Sequence, residues 1–304
     1  MHTQTINFQA PTEEAPLFIL PSADIFAVRA ARFEHLACAH SLSHWLQFLG
    51  QLTQAQHEVL HALEHFPSLD TQTLERAHTH GMPLFDLNAR PALWRDALRQ
   101  LIGQLEKTPL PAAASTALTE LRAADDAQLE NLANVLLDGE ISAAQTAQLP
   151  FIAAALQVVY TGMAAHLDHR QLQKLDAPAL CPCCGSPAVA SVVRLGNINN
   201  LRYLHCSLCN SEWNVPRATC SACSGDKEIA LHQLEGQKDS IRAETCDACM
   251  SYLKIMYQEK DPQVDPVADD LASLALDMLL DEAGYQRNGP NLFLIGAHRG
   301  ANDC

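Results

Sequence analysis

The chain has 304 residues, 48% of them hydrophobic and 18% charged, enough to bury a sizeable core and to divide into two or three domains. A formal charge of −15 has the wrong sign for gripping phosphate backbones or anionic lipid, which excludes nucleic-acid binding and membrane adsorption as main activities. The opening residues, MHTQTINFQAPTEEAP, join no basic stretch to an apolar one, and the longest apolar run, residues 151–167, is too short to span a bilayer. A cytoplasmic protein with reduced thiols is expected, with no membrane insertion.

Residues 1–175 read as an all-α bundle, because from about residue 22 the apolar positions recur at helical spacing. Leu42, Trp45, Leu49, Leu52, Val59, Leu60 and Leu63 form one stripe, on a helix that Ser41 is placed to cap. Pro91 suits the first turn of another helix, with Leu93, Trp94, Leu98, Leu101 and Leu105 on its inner face. A third carries Leu129, Leu132, Ala133 and Leu136 and is stopped by Asp138-Gly139. Residues 150–167 are apolar almost all round, as the middle helix of a bundle would be.

The run His57-Glu58-Val59-Leu60-His61 matches H-E-x-x-H, in which two histidines one turn apart hold zinc and the glutamate acts as base. Glu64 and Pro67 stand where the extended motif needs Gly and His, and Glu75 is the nearest alternative third ligand. Fourteen histidines make a chance match easy, so His57, His61 and His65 are expected on the polar face of a bundle helix. A metallohydrolase using His57, Glu58 and His61 is the lesser reading.

The composition changes at Asp176-Ala177-Pro178, and nine of the eleven cysteines lie between 181 and 249. Eight form C-x-x-C pairs: Cys181/Cys184, Cys206/Cys209, Cys220/Cys223 and Cys246/Cys249. A C-x-x-C turn aims both sulfurs to one side, so two such turns face to face make a tetrahedral cage, and four make two cages. The intervening 21 and 22 residues suit two knuckles joined by a hairpin, with residues 189–195 and 228–234 as short strands. Shifting the first unit by about 40 residues superposes it on the second, Arg202 on Arg242 included, which marks an internal duplication.

The expected divisions are therefore a bundle over 1–175, a first four-cysteine module over 176–218, a second over 219–258, and a C-terminal helix and tail over 259–304. Two metal ions are expected, and ligand type alone admits iron or zinc. Gly185 follows the first knuckle where a left-handed residue is convenient, and Cys183 reads as a spare, solvent-exposed thiol. Residues 181–258 balance seven Lys or Arg with seven Asp or Glu, so thiolates leave the module mildly acidic and unsuited to nucleic acid.

Around the second knuckle stand Arg202, Tyr203, His205, Glu212 and Trp213. Trp213 is expected in the core, and the other four serve either packing or a docking surface, Arg202 being the best contact candidate. Beyond Pro266 the helical period returns, with Leu271, Leu274, Ala275 and Met278 on the inner face and Asp270, Asp277 and Asp281 on the wet one. Asp269 and Asp270 read as charges stabilised at a helix N-terminus, or as contacts for a basic partner.

The runs CPCCGSPAVASVV, LRYLHCSLCNSEWNV, CSAC, TCDACMSYLKI and VADDLASLALDMLLDEAGYQRNGPNLF, in this order, resemble the formate dehydrogenase accessory protein family FdhE. The likeness is close over 178–294 and looser in VRAARFEHLA and WLQFLGQLTQAQ. It departs from the family pattern at Cys183, where CPxCG usually has another residue, and at Asn210, Ser224 and Met250, where such knuckles often have glycine. No ligand is lost.

The resemblance implies a cytoplasmic, non-enzymatic factor that binds the formate dehydrogenase catalytic subunit and carries rubredoxin-like iron sites on Cys181, Cys184, Cys206, Cys209, Cys220, Cys223, Cys246 and Cys249. The fold expected is α+β: a helical bundle, two tandem rubredoxin-like modules and a C-terminal helix packed on them. A zinc-ribbon module for another partner is the alternative. The oligomeric state is open, and a homodimer is compatible with the composition.

Overall fold

A computed structural model describes residues 16–138, 142, 145–195, 200–236 and 239–294; Gly139 and Cys304 lie outside these. Among the described residues seven α-helices precede the cysteine-rich region 181–249: α1 (Ile25–Ala37), α2 (Ser43–Ala62), α3 (Thr71–His80), α4 (Leu93–Leu105), α5 (Ala112–Ala123), α6 (Asp126–Asp138) and α7 (Leu149–Ala165). Leu49, Leu52, Val59 and Leu60 of α2 are buried, as are Trp94, Leu98, Leu101 and Leu105 of α4 and Leu129, Leu132, Ala133 and Leu136 of α6. The apolar stripes thus face inward at the 3.6-residue period that predicts them. Helix α7 is buried on every side and touches α2, α4 and α6, which makes it the centre of the bundle. Gly162 on this helix admits Phe66, since a Cβ there would lie 2.1 Å from the Phe66 ring.

Ser41 does not cap α2, which begins after Leu42 without a side-chain cap. The turn closes instead on His40, whose Nδ1 and carbonyl accept the Leu42 and Ser43 amides, and Leu42 is left exposed rather than on the buried stripe.

The cysteine region forms one mixed sheet. Its strands are β1 (Phe18–Ile19), β2 (Ala188–Arg194), β3 (Leu201–Cys206), β4 (Glu212–Val215), β5 (Ile229–His232), β6 (Ile241–Cys246), β7 (Ser251–Tyr257) and β8 (Gln286–Arg287). The order is β1-β4-β3-β2-β7-β6-β5, with β8 also beside β7. Each repeat is an antiparallel meander, β2-β3-β4 and β5-β6-β7. They join through a parallel seam, Ser191 opposite Ile255 and Val193 opposite Tyr257. The duplicated units share a sheet because the first strand of one leaves an edge that the last strand of the other completes.

After the sheet come α8 (Ala268–Leu271) and α9 (Leu274–Glu282), so the expected single C-terminal helix is broken at Ala272-Ser273. Its faces match expectation only in part: Leu271 is buried and Asp281 exposed as expected, but four other positions differ. Asp270 and Asp277 are buried, whereas Ala275 and Met278 are exposed, Met278 at 65%. The cause is Lys254 on β7, fully buried and paired with both Asp270 and Asp277, while Arg287 of β8 meets the same two carboxylates. Burying charges is tolerable only when they are paired in this way, and the requirement overrides the hydrophobic period.

Candidate metal centres

Cys181, Cys184, Cys206 and Cys209 bring their sulfurs within 4.8 Å of one another, and Cys220, Cys223, Cys246 and Cys249 do the same. Sulfur–sulfur separations are 3.5 Å for Cys181–Cys209 and 3.4 Å for Cys184–Cys206 in the first centre. In the second they are 3.7 Å for Cys220–Cys249 and 3.8 Å for Cys223–Cys246. A tetrahedral cage with metal–sulfur bonds of about 2.3 Å has edges of about 3.8 Å, so both sets fit one ion each. No disulfide joins any described cysteine.

Each knuckle is built by its backbone. The residue after the second cysteine is left-handed in all four: Gly185 at φ 75°, Asn210 at 58°, Ser224 at 61° and Met250 at 51°. The turn reverses there, so that the Cys181, Cys206 and Cys220 amides bond the carbonyls of Ser186, Ser211 and Gly225. The departures from glycine therefore change the strain in the knuckle and leave its shape intact. Backbone amides also aim at sulfur: Leu208 and Cys209 donate to Cys206 Sγ, and Ala222 donates to Cys220 Sγ.

The centres differ in surroundings. All four ligands of the first are buried and belong to the same apolar core as the helices. The amides of Leu84 and Phe85 bond the Pro182 and Cys183 carbonyls, and Gln157 of α7 donates to the Ser207 carbonyl. In the second centre Cys223 and Cys249 are exposed.

Burial pushes the Cys181 and Cys206 thiols well up, whereas at Cys209 burial is outweighed by hydrogen bonding from Cys181 and its neighbours, which holds it at about 5. In the open centre Cys220 falls to about 7, where burial is outweighed by the amides of Cys223 and Ala222. A metal ion at the middle of each set would let all four sulfurs ionise together.

Cys183 is not the solvent-exposed thiol expected from its position. It is buried, donates to Ser211 Oγ at 3.3 Å and stays outside the four-sulfur set. The chain segment 84–85 covers the first knuckle and removes it from water.

The six residues weighed as partner contacts or as packing are interior in this fold. Arg202, 1% exposed, pairs with Glu244 of the second repeat at 2.7 Å and donates to the Thr219 carbonyl beside Cys220. Tyr203 hydroxyl bonds the Pro16 carbonyl. His205 Nδ1 lies 2.8 Å from Glu212 Oε1, and Arg194 closes on the same carboxylate. Burial at Glu212 is outweighed by Arg194 and His205, which hold the carboxyl at about 2. Asp269 pairs with Arg32 of α1 at 2.6 Å, and Asp270 with Lys254 and Arg287. Trp213 is in the core as expected, its Nε1 donating to the Pro178 carbonyl.

Sequence reasoning missed the polar cable behind the first centre. Arg29 of α1 meets Asp265 at 3.0 Å and donates to Asn210 Oδ1 at 2.9 Å, and Asn210 donates in turn to Thr161 of α7. It also missed Ser211 and Ser251, whose hydroxyls lie 3.3 and 3.0 Å from Cys209 and Cys249 sulfurs. The repeated C-x-S ending of both second knuckles was the available signal.

The H-E-x-x-H run sits on α2, away from the cysteines. His57 and His61 stack at 4.4 Å with Asp24 beside them, while Glu58 is exposed and lines a different groove with Glu34 and Gln51.

Three family models match the chain in series: "FdhE, N-terminal" over 15–177, "FdhE, central domain" over 180–217 and "FdhE, C-terminal domain" over 218–294. Among curated proteins, the "Protein FdhE homolog" of Haemophilus influenzae strain Rd is 39% identical over 296 residues, 96% of this chain and 94% of that one. The homologue of Pseudomonas aeruginosa is 39% identical over 95% of this chain and 96% of its own. The crystal structure of the FdhE protein from Pseudomonas aeruginosa superposes with a TM-score of 0.85, at 39% identity, covering 92% of this chain and 99% of that one. With the two four-sulfur centres intact and a relative 39% identical over 96% of its length, the chain belongs to the FdhE family.

Proposed function

We propose that this chain is a cytoplasmic, non-catalytic accessory factor for formate dehydrogenase. In this reading it holds two metal ions, iron in preference to zinc, and binds the catalytic subunit of the enzyme through a surface that those ions stabilise. The observation that carries the reading is the pair of complete four-cysteine centres in a chain that matches the FdhE models over residues 15–177 and 180–294. The ions would cross-link turns that are too short to stand alone, and iron would add a redox response.

The six interior residues offer no surface to a partner, so contact is assigned to the open rim of the second centre. Cys223, Cys249 and Met250 are exposed there, Met250 at 42%. A pull-down with the tagged chain should capture the formate dehydrogenase catalytic subunit, and Met250→Asp should weaken the capture with both metals retained. Recovery of a different partner with no formate dehydrogenase would favour the zinc-ribbon alternative. Metal analysis with a visible spectrum checks the ion, since thiolate-bound ferric iron is coloured and zinc is colourless; two zinc equivalents in colourless protein from anaerobic cells would overturn the iron assignment.

A further inference from the structure

Three side chains outside the cysteine region converge at one corner of the bundle. His57 and His61 occupy successive turns on one face of α2, and Asp24 stands immediately before α1. One ligand atom from each lies within 4.8 Å of the others. His61 Nε2 is 3.9 Å from Asp24 Oδ1, and the two rings meet edge to face.

Asp24 is placed to do something else. As N-cap of α1 its carboxylate would ordinarily accept an amide of the first turn, yet it makes no capping bond and turns toward His61. His57 Nδ1 is shielded from water and has no hydrogen-bond partner. The corner also lies at the C-terminal end of α2, where unpaired carbonyls and the helix dipole favour positive charge.

We propose that Asp24, His57 and His61 form a third cation site, distinct from the cysteine centres, that takes one divalent transition-metal ion of borderline softness such as Ni²⁺ or Zn²⁺. Two imidazoles and one carboxylate are a donor set suited to such ions, and water completes the coordination. Bond lengths of about 2.0–2.2 Å require the three donors to close in by about 1 Å, which the exposed side chains of Asp24 and His61 can do by rotation. Because α1 and α2 pack along their length, the ion clasps the start of one to the end of the other. The site binds without hydrolysing, since Glu58, the base of an H-E-x-x-H enzyme, faces the groove beside Glu34 and Gln51 instead.

The test uses the full chain with both cysteine centres filled, shown by two metal equivalents before titration. Calorimetry with Ni²⁺, and separately with Zn²⁺, should find one further equivalent. His61→Ala should abolish it, Asp24→Asn should weaken it at least tenfold, and Glu58→Gln should leave it unchanged. Ni²⁺ should raise the unfolding temperature of the parent chain and leave that of the His57→Ala/His61→Ala variant where it was. Retention of two equivalents by each variant reports that the fold survives. Absence of a third equivalent in the parent chain, or its persistence in the double variant, would overturn the site.

Discussion

Arg202 of the first repeat and Glu244 of the second form a buried ion pair at 2.7 Å, directly beneath the turn that leads into Cys220. Burial lowers the basicity of Arg202 and raises the pKa of Glu244, and each partner's charge opposes that shift in the other. Arg202→Met should cost about 3–5 kcal/mol, because it strands a carboxylate in the interior. Arg202→Met/Glu244→Leu should recover most of that loss. Urea unfolding of the metal-loaded chain measures both, and an equal loss in the single and double variants would show that packing, not charge, holds the junction.

Chelation should separate the two cysteine centres. The first is sealed inside the helical core, and the second exposes Cys223 and Cys249. A chelator in excess should remove metal in two steps of about one equivalent each, and Cys223→Ser/Cys249→Ser should abolish the faster one. Release in a single step, or a slow step belonging to the second centre, is the contrary result.

Two substitutions at equivalent knuckle positions should have opposite signs. Gly185 has φ 75° and a Cβ there would lie 2.9 Å from Pro83, so Gly185→Ala should destabilise the chain by about 1–2 kcal/mol. Met250 carries a side chain at φ 51°, and Met250→Gly should stabilise by about 0.5–1 kcal/mol. Thermal unfolding at constant metal loading gives both signs.

Gly162→Ala should introduce a clash with the Phe66 ring and cost about 1–3 kcal/mol. Combining it with Phe66→Leu should return part of the loss, provided the cause is the close approach and not helix propensity, since propensity alone makes alanine the better residue.

The helical stripes and the grouping of eight cysteines into two sets were legible because each follows a local rule, the 3.6-residue period or the C-x-x-C turn. Ser41 failed as a cap because His40 satisfied the same amides, a competition that propensity does not register. Asp270 and Asp277 read as solvent-facing because the period treats every carboxylate as wet; their partners, Lys254 and Arg287, come from other strands. For the same reason the sequence left Arg202, Tyr203, His205, Glu212 and Asp269 open between packing and docking, and only the fold displays their contacts within the chain. Asp24 joins His57 and His61 only through the packing of α1 on α2, which no motif encodes.

Arg29 and Arg32 of α1 meet Asp265 and Asp269 across 236 and 237 residues. Distant parts of the chain are thereby interlocked: during synthesis these two guanidiniums lack their carboxylates until residue 269 has left the ribosome. A truncated product would keep two orphan cations at an unfinished seam, a state that proteases and chaperones can tell from the complete molecule.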